Sequence, residues 1–125
     1  QNGTNANQGG LVVPENKVII VEGKSDRKRI LRSLAERVKV ICTNGTISSY
    51  QLEEMLTPYE GWEMFVFVDA DEDGEKLRKL FKREYPLAIH IYTEKVYREV
   101  ETTPDNVLAN VLQAAHIEVH AKFLR

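Results

Sequence analysis

What this chain lacks narrows its class before any motif is considered. It has one cysteine, Cys42, so no internal disulfide can form. That thiol sits in an apolar run with Val38, Val40 and Ile41, which reads as a buried, reduced cysteine and points weakly to the cytoplasm. Histidines number three: His116 and His120 are four apart, a spacing that suits a helical metal site, but no third ligand lies near them. His90 sits inside an apolar segment, where packing is the expected role. No apolar stretch approaches the roughly 20 residues of a membrane helix, so no membrane partner is expected. No charged segment followed by an apolar run opens the sequence, so no secretory signal is expected either. Basic residues are missing from Val40 to Gly74, a stretch that holds eight acids.

What is present fits one ordinary globular domain. The chain has 125 residues, 42% hydrophobic and 29% charged, enough for a single core. Its first ten residues are polar, rich in Gly and Asn, and without periodicity. Residues 1–14 are therefore set aside as a flexible tail or expression remnant, and 15–125 as the domain. Net charge is only −2, yet the charges are segregated. Lys24 to Lys39 carries seven basic residues against two acidic ones, and Glu75 to Glu84 carries five against two. Charge distribution, more than the net value, decides partners.

Periodicity predicts the elements. Lys17–Val21, Val38–Cys42 and Met64–Val68 are short apolar runs rich in β-branched or aromatic residues, as in strands buried on both faces. Ala88–Tyr92 is a weaker fourth strand. Ser25 opens a helix to about Arg37, and Ser48 with Gln51 forms a capping box for a second. A third helix follows Asp73-Gly74, with Leu77, Leu80 and Phe81 inward. Pro104 at the first helical position opens a fourth, and Ile117–Phe123 reads as a terminal strand. Alternating strands and helices mean an α/β fold: about four mainly parallel, Rossmann-like strands with helices on both faces, in three layers.

In such sheets, ligands gather beyond the carboxyl ends of the strands. The first three predicted strands run into Glu22-Gly23-Lys24, Thr43-Asn44-Gly45 and Asp69-Ala70-Asp71-Glu72-Asp73-Gly74. Asp69 and Asp71, two apart at a strand end, project to the same side. Two carboxylates so close repel unless a cation or proton intervenes. Mg²⁺ suits them: it takes oxygen ligands, keeps waters, and uses one or two carboxylates with substrate phosphate. Asp73 is a further candidate ligand, although helix capping explains an acid there equally well. Glu22, shielded by the sheet and beside other acids, should have a raised pKa, suited to proton transfer; a nearby metal would favour a ligand role instead. Gly23, Gly45 and Gly74 permit the turns and close approaches of these loops. Lys24, Arg27 and Lys28 open the first helix, and Lys76, Arg78 and Lys79 the third, so both clusters flank the acids as candidate phosphate contacts. No arrangement of aromatic residues suggests a base-stacking platform, so little sequence specificity is expected.

The segments Val-Ile-Ile-Val-Glu22-Gly23-Lys-Ser-Asp26, Thr43-Asn44-Gly45 and Val-Phe-Val-Asp69-Ala-Asp71-Glu-Asp-Gly74-Glu-Lys-Leu-Arg78 together resemble the Toprim domain. That family is shared by primases, topoisomerases, certain nucleases and the 5S ribosomal RNA maturases. The resemblance covers about residues 17–116 and is strongest to small primase-like Toprim proteins and the maturase branch. It implies that Glu22 is a general acid/base or metal-linked, that Asp69 and Asp71 bind Mg²⁺, and that Gly23 and Gly74 are the motif glycines. Glu101, in Arg98-Glu-Val-Glu101, loosely matches a further acid of the maturases. The expected function is then a Mg²⁺-dependent protein acting on phosphodiesters of DNA or RNA, an RNA-processing or DNA nuclease. The alternative is a non-catalytic nucleic-acid- or nucleotide-binding module. A phosphoryl-accepting receiver fits poorly, because its acidic pair follows strand one and here the pair follows strand three.

Overall fold

The computed structural model describes residues 16–93 and 99–124. The proposed tail, 1–14, lies outside the described residues. Four strands alternate with four main helices: β1 (Lys17–Val21), α1 (Lys24–Ser33), β2 (Lys39–Cys42), α2 (Ser49–Leu56), β3 (Glu63–Phe67), α3 (Glu72–Glu84), β4 (Ile89–Ile91) and α4 (Asp105–Ala114). The sheet order is β2-β1-β3-β4, and every pairing is parallel. The expected α/β architecture is therefore observed, with a parallel sheet throughout.

Residue alternation in β1 explains why helices cover both faces. Ile19 and Val21 point into a core with Phe65, Phe67, Ile30, Leu108 and Leu112, under α1 and α4. Val18 and Ile20 point the other way, to Val66, Val68, Leu52, Leu56, Leu77 and Phe81, under α2 and α3. A strand buried on both sides must be apolar at every position, which is why β1 and β3 read as continuous runs. The Ser48–Gln51 capping box forms as expected: Gln51 N donates to Ser48 Oγ at 3.2 Å, and Ser48 N donates to Gln51 Oε1 at 3.0 Å.

Four helix or terminal boundaries differ from the sequence expectation, and one is the start of α3, which begins at Glu72 rather than after Asp73-Gly74 because Asp71 caps it. Helix α1 ends at Ser33, not near Arg37, because Leu34 turns to extended backbone and pairs antiparallel with Val119. Ala35 N donates to Glu118 O at 2.9 Å and His120 N to Ser33 O at 2.9 Å. The segment expected as a terminal strand makes only this bridge before a 3₁₀ turn at Ala121–Phe123. Pro104 caps α4 rather than occupying its first turn.

Candidate metal and nucleic-acid site

The strand order places β2 and β3 on opposite sides of β1, so the connections leave the sheet in opposite directions. The crevice at such a switch point is where open α/β sheets bind ligands. Glu22, directly after β1, reaches across it: its Oε1 accepts a hydrogen bond from Asp69 N at 3.0 Å. Asp69, after β3, uses Oδ1 to accept from Val100 N at 2.8 Å. Asp71 caps α3, its Oδ1 accepting from Gly74 N at 2.8 Å. The capping role expected for Asp73 thus belongs to Asp71, while Asp73 lies exposed in the first turn of α3.

Gly74 is required by packing. A Cβ there would lie 1.9 Å from the Asp69 carbonyl oxygen, a backbone atom that cannot step aside. Gly45 has φ of 104°, a conformation that favours glycine. Gly23 needs neither: it is extended at φ −129°, and an added Cβ would meet only Asp26 Oδ2 at an ordinary 3.6 Å.

Sequence reasoning missed Asp26 as a member of the site. It is 7% exposed, and its Oδ2 accepts from Gly23 N at 3.1 Å. Burial, with Asp69 as the next cause, pushes its carboxyl up to about 6; Glu101 and Glu99 add to the rise, and the Gly23 N–H opposes it. Burial also raises Glu22, against the Asp69 N–H and with help from Asp69, Asp71 and Asp26. Asp69 is raised by burial too, with Asp71, Glu99 and Glu101 contributing and the Val100 N–H opposing. Glu101 is exposed, and its charge adds to the raised pKa of both Asp26 and Asp69. The loop bearing it is tied down by Arg29 of α1, which donates to the Glu101 and Thr103 carbonyls and to Asp105 Oδ1. No local pattern could have announced Arg29, since its partners are more than 70 residues away.

The basic residues divide. Lys24, Arg27 and Lys28 are exposed near the start of α1, with Arg27 Nε also donating to Val40 O at 2.9 Å. Lys76 and Lys79 are exposed on α3. Arg78, expected as a phosphate contact, is not one: it is 1% exposed. Its Nη2 donates to Val68 O at 3.1 Å and Ile91 O at 2.7 Å, its Nη1 lies 3.1 Å from His90 Nδ1, and its guanidinium stacks on Tyr92. A guanidinium so engaged cannot also meet a phosphate. Burial, with Arg78 and Lys82 adding to it, lowers the His90 pKa, and because a guanidinium can only donate, Nδ1 is the acceptor from Arg78.

Whether the acids suit Mg²⁺ can be judged from their chemistry. All donors are oxygens, and three carboxyls carry pKa values raised first by burial and further by the neighbouring acids. No ion pair among the described residues joins a lysine or arginine to Glu22, Asp26, Asp69 or Asp71. Among the described residues no three or more His, Cys, Asp or Glu side chains are placed to hold a metal ion together. Mg²⁺ does not need three, because it binds through one or two carboxylates and fills its shell with water and phosphate oxygens. The residues fit such an ion.

A parallel α/β sheet with carboxylates gathered at its switch point is the arrangement in which open α/β domains bind ligands. The family model of the Toprim domain matches residues 17–98, and the chain belongs to the Toprim family. It is 47% identical over 108 residues to the uncharacterized protein YusF of Bacillus subtilis (strain 168), covering 86% of this chain and 74% of that one. It is 36% identical over 80 residues to ribonuclease M5 1 of Ligilactobacillus salivarius (strain UCC118), covering 63% of this chain and 42% of the relative. The chain thus spans about two fifths of that ribonuclease's length. A small TOPRIM domain protein from Bacillus stearothermophilus has the same fold, with a TM-score of 0.87, 45% identity, and coverage of 90% of this chain and 96% of that one.

Proposed function

We propose that this protein is a Mg²⁺-dependent phosphodiesterase acting on RNA. The observation that carries the reading is the Glu22–Asp69 hydrogen bond across the switch point, which gathers acids from two strand ends into one crevice. Likeness to ribonuclease M5 proteins supports RNA over DNA as substrate. The single free thiol, half-buried and with its pKa raised by burial, is consistent with a cytoplasmic site of action.

Asp69 and Asp71 would hold the ion, each through the carboxylate oxygen not already bonded to a backbone N–H. When bound, Mg²⁺ would neutralise charge developing on the phosphoryl oxygens. Glu22, with its pKa raised, would carry the proton between the attacking water and the rim. Lys24, Arg27, Lys28 and Lys76 would hold flanking phosphates, and the Asp69 and Gly74 backbones fix the spacing between ion and helix α3. Glu22→Gln keeps the hydrogen bond from Asp69 N but cannot exchange a proton. Turnover of a structured RNA should fall about 100-fold or more while RNA affinity survives. The assay compares wild type and variant with Mg²⁺ and with EDTA. Equal cleavage by both proteins would sink the proton-transfer role. The backbone hydrogen bonds already held by Glu22, Asp69 and Asp71 favour a second reading, a non-catalytic binding module. RNA binding by wild type without Mg²⁺-dependent cleavage would select it.

A further inference from the structure

The end of β4 carries a side chain that the acidic rim does not use. Tyr92 is 51% exposed, yet its ring is held against a guanidinium that is itself buried: the Arg78 Cζ lies 4.0 Å from the ring centroid. The His90 ring lies near-parallel to it, 26° between planes and 6.3 Å between centroids. One nitrogen, Arg78 Nη2, bonds the carbonyls of both Val68 and Ile91. Val68 precedes Asp69, and Ile91 precedes Tyr92. The same cation therefore pins the two strand ends side by side, about one strand spacing (~4.8 Å) apart. The β3–β4 register, Phe67 opposite Ile91, agrees.

An ordinary surface tyrosine swings freely, and a core tyrosine is covered. Tyr92 is neither: a fixed cation sets its plane, and half of the residue stays open beside a rim fitted to phosphate. A ring already held in place loses little rotamer freedom when a flat partner stacks on it. Base–aromatic stacking tolerates any base, because every base has a π-face. We propose that Tyr92, backed by Arg78, is a stacking platform for a nucleobase of single-stranded RNA whose neighbouring phosphate lies at Asp69 and Asp71. This reverses the expectation from sequence that no aromatic arrangement serves bases, and it rests on the RNA reading above.

The experiment measures binding of a single-stranded RNA dodecamer, and of the same backbone with abasic sugars, at low salt with Mg²⁺, every protein carrying Glu22→Gln to prevent cleavage, so that wild type here means Tyr92. Wild type should prefer the base-bearing strand by about 5- to 100-fold. Tyr92→Phe should keep that preference and Tyr92→Ala should lose it, with abasic binding unchanged. Tyr92→Leu, which retains apolar cover over Arg78 but has no ring, should lose it as well and serves if the alanine variant does not fold. A base preference that survives in the folded ring-less variants, or wild type binding both strands equally, overturns the platform and leaves the RNA reading standing. Wild type binding neither strand overturns both. A lowered melting temperature in the ring-less variants with unchanged base preference assigns Tyr92 to shielding Arg78 alone and overturns the proposal.

Discussion

At the residue scale, the site is set by what each carboxylate and glycine is allowed to touch. Asp26 is held nearly out of solvent, and its folded pKa of about 6 lies above the ordinary 3.8. An acid whose folded pKa is raised favours the native state while protonated. Its contribution is present in full below 3.8, is lost as pH rises, and is gone above about 6. Asp26→Asn removes the titration and keeps an oxygen for Gly23 N. In metal-free buffer the variant should gain about 1–2 kcal/mol at pH 7.5. Its stability should also fall less steeply from pH 4 to 6 than that of wild type, as urea melts across pH would reveal; equal slopes would deny Asp26 its raised pKa. Gly74→Ala tests the close approach to Asp69. With 1.9 Å between the new Cβ and a backbone oxygen, α3 must move away from β3. A loss of roughly 3 kcal/mol or more is expected by chemical denaturation, and a loss under 1 kcal/mol would mean the turn relaxes freely. Legibility at this scale was uneven. Glu22, Asp69 and Asp71 stood out because acids directly after apolar runs are unusual. Arg78 misled, although its position alone was informative: with Gly74, Leu77 and Phe81 it falls on the buried stripe of α3. A basic residue on an apolar stripe is a structural cation before it is a surface contact.

At the element scale, strands were easier to read than ends. Runs such as 17–21 and 64–68 appear within a residue of their expected limits, because burial on both faces demands apolar residues throughout. The end of α1 was hidden, since only the return of residues 118–120 to Ser33 and Ala35 offers its backbone another partner. That return depends on how α4 stops. Ile117 N donates to Leu112 O at 3.1 Å and His116 N to Gln113 O at 2.9 Å, the paired bonds of a Schellman ending. The left-handed position in that motif is usually glycine, and here it is His116 at φ 66°. The pair His116 and His120, readable as a metal spacing, is thus explained by chain reversal. Ile117, 1% exposed, then fastens the turn to the core. His116→Gly should relieve the left-handed strain and stabilise the protein by about 0.5–1 kcal/mol, since Lys17 Nζ, which also pairs with Glu36, bonds the backbone carbonyl of His116, which glycine retains. A melting temperature below that of wild type would show that the imidazole itself contributes.

At the scale of the whole molecule, the parallel sheet turns a segregated sequence into a polarised surface. Helices α1 and α3 both begin at the carboxyl edge of the sheet, so Lys24, Arg27, Lys28 and Lys76 border the crevice holding Glu22, Asp26, Asp69 and Asp71. The two basic stretches, separated in sequence by the acid-only stretch, join it in one rim of both signs. A polyanion approaching that rim meets cations at its border, while the inner acids repel it unless a divalent ion intervenes. Each phosphate neutralised releases counterions, and single strands lose about 0.7 log units of affinity per log unit of salt for each contact. Four contacts predict a slope near −3 for single-stranded RNA, measured from 50 to 200 mM KCl in the presence of Mg²⁺ with the Glu22→Gln variant to prevent cleavage. Lys24→Ala and Lys76→Ala should each flatten the slope by about 0.7. Arg78→Lys should leave the slope alone, because the side chain it replaces faces carbonyls and not solvent. Arg83→Ala supplies a control from the far end of α3, where the residue pairs with Glu84 at 2.9 Å, and it too should leave the slope unchanged. A slope near zero for the parent protein, or the same flattening from Arg83→Ala as from Lys24→Ala, would mean that RNA is not held at the rim.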